Sequence, residues 1–185
     1  MSQLLDVNNS LLLLVDIQTR LLSAMPEEAA ENMTELSTRL TSAANLLDVP
    51  VFLTEQYPKG LGSTIDSINA ELNHSTQRFE KTAFSCCAAE GFMEALEKSG
   101  RKQIIIAGQE AHVCILQSAL ELMQQGYQVH VLEDVTCSRK AENKFYALQR
   151  MQQAGSTISN FESVLFEWLK DAQHPNFSDI SQLLR

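Results

Sequence analysis

Three residues of this chain stand where apolar runs end, and together they carry the side chains of an acyl-transfer centre. Asp16 follows LLLLV (Leu11–Val15), Lys81 closes QRFEK (Gln77–Lys81), and Cys114 lies shortly after QIIIAG (Gln103–Gly108). A cysteine attacks as its thiolate. A place at a helix start stabilises that anion through backbone N–H groups and the helix dipole, which predicts a lowered pKa for Cys114. A carboxylate such as Asp16 can accept the thiol proton and pass it to a leaving group. An ammonium such as Lys81 favours both anions and keeps the carboxylate charged. N–H groups of the loop before Cys114 would hold a developing oxyanion. These are the parts of a hydrolase that works without histidine.

Taken singly, each residue has a plainer explanation. A cysteine on an apolar helix face is most often core packing. An aspartate after a buried strand is often a cap or a structural hydrogen-bond acceptor, and a lysine is most often solvated. The chemical reading therefore depends on whether one fold brings the three together.

The pattern of the chain predicts such a fold. Leu11–Val15 is too apolar for a one-faced strand and reads as a central parallel strand, buried on both faces. A helix is predicted from near Pro26 to about Leu47, since proline suits a first turn. Val51–Thr54 reads as a second strand and EQYPKGLGST as an irregular loop. Gln77–Lys81 is a third, shorter strand. Cys86 to Lys98 reads as a helix ending at Gly100. Gln103–Gly108 is the fourth strand, followed by a helix through Cys114 to Gly126. Tyr127–Asp134 is the fifth strand, Ser138 to Ala154 a helix with Ser138 at its cap, and Ser156–Ser159 the sixth strand. A last helix spans about Glu162 to Leu169, and the tail after His174 reads as an arm.

Strand and helix alternate throughout, with no repeat or linker. The expectation is one α/β domain over residues 1–185, a doubly wound six-stranded parallel sheet with helices on both faces. In such sheets ligands bind beyond the strand C-termini, where strand order reverses. With the order 3-2-1-4-5-6, the first and fourth strands are neighbours at that crevice. Asp16, Lys81 and the loop GQEAHVC then converge on it.

Composition narrows the partners. A chain of 185 residues with 44% hydrophobic and 20% charged residues is of ordinary globular make-up and can bury a full core. A net charge of −9 repels phosphate backbones, so no nucleic-acid partner is expected. The start MSQLLDVNNSLLLLVDIQ lacks a basic signal region, and no apolar run reaches membrane-span length, so a cytoplasmic protein without a membrane partner is expected. Cys86, Cys87, Cys114 and Cys137 are not spaced as zinc ligands, so no metal is expected, and a reducing compartment keeps them as free thiols.

LLLLVDIQTRLL, RFEKTAFS and AGQEAHVCILQSALELMQQGYQVHVLEDVTCSR resemble the three signature blocks of the isochorismatase-like cysteine hydrolases. The resemblance covers about Leu11 to Phe161 and is carried by the order and spacing of the blocks. It implies a six-stranded parallel sheet, an Asp–Lys–Cys triad falling on Asp16, Lys81 and Cys114, and no cofactor. It also implies a cis peptide at Gln109–Glu110, with the N–H groups of Glu110 and Cys114 as the oxyanion hole. The family's metal-binding nicotinamidases carry D-x-H after the second strand. TEQYPKG stands there instead, with no histidine between Asp16 and His74, which argues against nicotinamidase activity and against a bound metal. True isochorismatases have lost the cysteine, so Cys114 argues against enol-ether hydrolysis. The blocks look more like those of small isochorismatase-domain proteins of poorly defined substrate. Members commonly form homo-oligomers, and the last helix with Trp168 would supply an interface.

Gln18, Gln56, Tyr57 and His112 are candidates to line the substrate pocket, since each sits on a loop or helix start beside the triad. Loop hydrogen bonding is the simpler role for Gln18 and Gln56, and a cap or interface role for His112. The activity expected is thioester-forming hydrolysis of a C–N amide-type bond in a small molecule. Two alternatives use the same residues: an oligomeric interaction module with negligible turnover, and a redox-sensing thiol protein pairing Cys114 with Cys86, Cys87 or Cys137.

Overall fold

In a computed structural model, which describes residues 4–185, the LLLLV run forms the heart of a parallel sheet. Strand β1 (Ser10–Val15) is buried along its whole length. Leu12 and Leu14 pack into the core on one face, and Leu11, Leu13 and Val15 into the core on the other. That two-sided burial is why the strand has no polar alternation. Each fully buried leucine contributes about 1.5–3 kcal/mol relative to exposure.

The chain continues through α1 (Thr19–Leu22), α2 (Glu27–Leu46), β2 (Val51–Gln56), α3 (Pro58–Leu61), α4 (Asp66–Glu71) and β3 (Gln77–Lys81). A 3-10 turn (Cys86–Ala88), α5 (Phe92–Ser99) and β4 (Gln103–Gln109) follow. A π-turn (Ala111–Ile115) then leads into α6 (Leu116–Gln124). The rest is β5 (Gln128–Cys137), α7 (Ala141–Gln153), β6 (Thr157–Ser159), α8 (Phe161–Leu169) and α9 (Phe177–Gln182). The six strands are all parallel, in the order β3-β2-β1-β4-β5-β6, with helices on both faces. The crevice falls where the connections reverse, between β1 and β4.

Register places the site. Val15 at the end of β1 pairs with Thr54 on β2 and with Gly108 on β4, while Gln56 pairs with Lys81. Gly108 is required: its φ is +117°, and a Cβ there would stand 2.2 Å from the Val15 carbonyl oxygen. Phe52, Phe79 and Phe92 stack at tilted and edge-on angles beneath the polar ends of β2 and β3.

Several expectations are corrected. The helix predicted from Cys86 is two pieces, because the chain turns extended at Ala89 after the first, and Gly91 at φ +74° caps the start of the second. The fifth strand runs on to Cys137 through a register shift, which carries it past the polar pair Glu133–Asp134. The tail is not an arm: α9 buries Ile180 completely, and Arg39 donates to the Leu183 carbonyl at 3.1 Å. Trp168 is 1% exposed and donates to Ser10 Oγ at 3.0 Å, so it is a core side chain and not an interface.

Candidate active site

The end of β1 turns sharply at Asp16, whose φ is +53°, a left-handed conformation that aspartate tolerates better than most residues. Its N–H still bonds the Thr54 carbonyl at 3.1 Å, and its own carbonyl accepts from Gln18 N at 2.9 Å and from Gln109 Nε2 at 2.9 Å. The carboxylate is thereby aimed across the strand ends with no exposed surface.

Lys81 reaches it from β3. Its Nζ donates to Asp16 Oδ2 at 2.7 Å and to Gln56 Oε1 at 2.7 Å, and both side chains of the ion pair are fully buried. Burial pushes the lysine pKa down, but the charge and hydrogen bond of Asp16 outweigh it. The net shift is upward, and Lys81 stays an ammonium.

Cys114 lies in the π-turn, 6% exposed, against this pair. Its thiol pKa is raised and not lowered, which corrects the expectation drawn from its place at a helix start. Burial is the first cause, and the Asp16 carboxylate, both as a charge and as a hydrogen-bond partner, is the next; Lys81 opposes them in part. Cys114 is therefore held as a thiol facing Asp16.

Upstream of the cysteine, the Gln109–Glu110 peptide is cis. The Glu110 carbonyl accepts the N–H groups of Val113 and Ile115 at 3.1 and 3.3 Å. The Glu110 side chain is held by Arg139 through a bidentate guanidinium contact, with Nη2 2.7 Å from Oε1, and through the Arg139 backbone N–H at 3.0 Å. Burial would raise the Glu110 pKa, but these bonds and the arginine charge hold it below the ordinary value.

Gln18 and Gln56 are not free pocket walls. Gln18 Nε2 donates to the carbonyls of Gln56 and Gly62 at 3.0 and 2.6 Å, and its Oε1 accepts from Gln56 N at 2.7 Å. Gln56 Nε2 donates to the Thr82 carbonyl at 2.7 Å while its Oε1 holds Lys81. Both amides are consumed in building the loop and fixing the ammonium. His112 bridges to the start of α7, with Nδ1 3.1 Å from Ser138 Oγ and Nε2 3.3 Å from Asn143 Nδ2, so both ring nitrogens are engaged in joining two elements. Tyr57 is half exposed, its N–H on the Lys81 carbonyl at 2.8 Å. Its ring lies over Gly60, where a Cβ would come within 2.2 Å. It borders an open cleft of about 400 Å³, shared with Lys59, Glu80, Lys81 and Glu90. Larger grooves lie elsewhere on the surface, among them one of about 610 Å³ along the outer side of α2, and Asp16, Lys81 and Cys114 do not line them.

The remaining thiols are shielded. Burial pushes Cys86 and Cys137 up to about 12 and Cys87 to about 11. All four cysteines are free. Among the described residues no three His, Cys, Asp or Glu side chains are grouped as a metal site requires, and no helix is long and apolar enough to cross a membrane. Thr54 and Ser118, which no motif in the sequence marks, are fully or almost fully buried and bond Asp16 and the Cys114 carbonyl. The available signal was a polar residue closing an apolar strand and a serine one helical turn beyond Cys114.

A doubly wound parallel sheet with a buried carboxylate, ammonium and thiol at its switch point defines an isochorismatase-family, hydrolase-like protein. Comparison with known proteins agrees: residues 10–163 match the Isochorismatase domain, and the chain belongs to that family. It is 38% identical over 183 residues to isochorismatase family protein 1A of Dictyostelium discoideum, covering 97% of this chain and 87% of that one. Among solved structures, one described as the MAR1 ribonuclease of Caenorhabditis elegans superposes with a TM-score of 0.91 at 33% identity, over 97% of this chain and 91% of the other. The YcaC gene product of Escherichia coli, described as an octameric hydrolase of unknown specificity, gives 0.86 at 26% identity, over 97% and 88%.

Proposed function

We propose that this protein is a cysteine hydrolase that cleaves a C–N amide-type bond in a small molecule through a thioester on Cys114. The observation that carries the reading is the fully buried Asp16–Lys81 pair with a protonated thiol set against it. A core that needed only packing would not bury two charges at this point, because their desolvation costs several kcal/mol each.

In the first half-reaction Asp16 takes the Cys114 proton as the sulfur attacks the substrate carbonyl. The oxyanion rests on the N–H groups of Glu110 and Cys114, and Lys81 balances the negative charge that collects on Asp16 and the sulfur. Collapse of the tetrahedral adduct expels an amine or ammonia, which takes the proton from Asp16. Water then enters, gives a proton to Asp16, and attacks the thioester. The acid leaves, and the proton returns to the Cys114 sulfur. The cycle needs no cofactor. Four free thiols support a reducing, cytoplasmic setting, and the octameric relative supports a homo-oligomer, which light scattering tests.

The ribonuclease description of one relative raises RNA as a substrate. The net charge of −9 opposes a polyanion, and a thioester mechanism has no place for a phosphodiester. Incubation with RNA should therefore leave it intact.

The test pairs two readouts in wild type and Asp16→Asn. Iodoacetamide alkylation of Cys114 against pH, resolved by mass spectrometry, should become faster near neutral pH in the variant, since a charge opposing the thiolate is removed. Ammonia release from a panel of small primary amides and carbamoyl compounds should occur only in wild type. An alkylation profile indifferent to Asp16, with no amide turned over, refutes the reading and favours an interaction module.

A further inference from the structure

Strand β2 is apolar from Val51 through Leu53 and then places a threonine in the core. Thr54 is 1% exposed. Valine has the same shape and would pack there without burying a hydroxyl, which is costly to bury unless it is bonded. The hydroxyl is bonded on both sides. Oγ1 donates to Asp16 Oδ1 at 2.7 Å and lies 3.7 Å from Cys86 Sγ. A hydroxyl has one proton, and the carboxylate takes it. Toward Cys86 the oxygen is therefore the acceptor and the thiol S–H the donor. The upward shift of the Cys86 pKa to about 12 keeps that donor in place.

The chain of contacts continues to the nucleophile. Cys86 N donates to Ser118 Oγ at 2.8 Å, and Ser118 Oγ donates to the Cys114 carbonyl at 2.6 Å. The Cys86 turn is thus tied to the backbone of the residue whose thiol meets Asp16. Four buried hydrogen bonds thus run from Asp16 through Thr54, Cys86 and Ser118 to the Cys114 carbonyl.

We propose that Thr54 is a positioning residue for the hydrolysis assigned above. Its hydroxyl, braced by Cys86, orients the Asp16 carboxylate toward Cys114 and draws off part of that carboxylate's charge. The inference rests on the role given to Asp16 under the proposed function. The charged and titratable groups that face the Cys114 thiol are Asp16, Lys81 and Cys86. Of these, Thr54 touches Asp16 and Cys86.

The sign follows from the bond. Without the hydroxyl, the Asp16 carboxylate presents its full charge to the thiol, and the Cys114 thiolate becomes harder to form. Thr54→Val should slow iodoacetamide alkylation of Cys114 about threefold to tenfold below the midpoint of its pH profile and move that profile to higher pH. Asp16→Asn should do the opposite. In the Asp16→Asn background Thr54→Val should change the rate by less than about twofold, because the charge it acts on is gone. Thr54→Ser, which keeps the hydroxyl, should restore most of the wild-type profile. Thermal unfolding of each variant shows that it is folded, and the serine variant carries the test if the valine variant is not. Wild-type kinetics in Thr54→Val, equal slowing in the Asp16→Asn background, or a serine variant that behaves like valine overturns the proposal while leaving the triad standing. An Asp16→Asn variant with an unchanged Cys114 profile overturns both, and that arm tells the two failures apart.

Discussion

Replacing Lys81 by methionine tests the centre most directly, because it removes one charge of a buried pair and keeps the length of the side chain. In wild type both partners are fully buried and 2.7 Å apart. At an effective dielectric of about 20 their attraction is about 6 kcal/mol, which is offset by desolvation of several kcal/mol per ion. The net worth of the pair is therefore small, but the cost of breaking it is not. Lys81→Met leaves Asp16 Oδ2 without its lysine donor at a carboxylate with no exposed surface, the Thr54 hydroxyl remaining on Oδ1. Such truncations cost about 3–5 kcal/mol. Asp16→Asn with Lys81→Met removes both charges, and the double variant should lose at least about 2 kcal/mol less than the sum of the two single losses. Asparagine is the right partner change, since it tolerates the left-handed backbone at Asp16. Urea unfolding followed through Trp168, the single tryptophan and a core residue, measures all four proteins. A Lys81→Met loss below about 1 kcal/mol, or strict additivity, would refute a buried charged pair.

Gly108→Ala should cost more than about 2 kcal/mol or prevent folding, since the new Cβ meets the Val15 carbonyl and the backbone sits at φ +117°; thermal unfolding reads the loss. Arg139→Gln should cost about 1–3 kcal/mol at neutral pH by leaving the Glu110 carboxylate short of donors. Glu110 has a depressed folded pKa, so this contribution is present above its unfolded value of 4.5 and is lost as pH falls through the lower folded value; urea unfolding against pH should show the two proteins converging in acid. The buried thiols act at the other end of the scale. Cys86 and Cys137 lose their protons at 9.0 when unfolded and at about 12 when folded, so the folded state holds more protons in that window and stability falls as pH rises through it. Lys81, raised above 10.5, also loses its contribution as pH rises through its folded value. Cys86→Ala and Cys137→Ala, measured as stability against wild type from pH 8 to 11, should each flatten that slope by up to about 1.4 kcal/mol per pH unit.

Much of the fold was legible because parallel sheets leave a strong trace. LLLLV and QIIIAG have no polar alternation, which is possible only where both faces are covered, and their spacing with helices between them leads to the doubly wound order. Asp16, Lys81 and Cys114 stood at strand ends and one helix start, so the order alone drew them to one crevice. The misreadings have local causes. An extended Ala89 parts a helix that periodicity joins, a register shift carries β5 past two acidic residues, and α9 docks where composition suggests an arm.

By itself the sequence determined which residue types lie at the crevice, since burial pattern and strand order are properties of the chain read along its length. What it could not determine was the state of those residues. A helix start suggested a thiolate at Cys114, but burial and the facing Asp16 carboxylate make it a thiol. Gln18 and Gln56 looked like pocket walls, but their amides are spent on backbone carbonyls and on Lys81. Thr54 looked like the end of an apolar strand, but its hydroxyl is bonded to the Asp16 carboxylate. Protonation and hydrogen-bond partnership depend on desolvation and on distances of about 3 Å between residues far apart in the chain. Only the packed structure sets those.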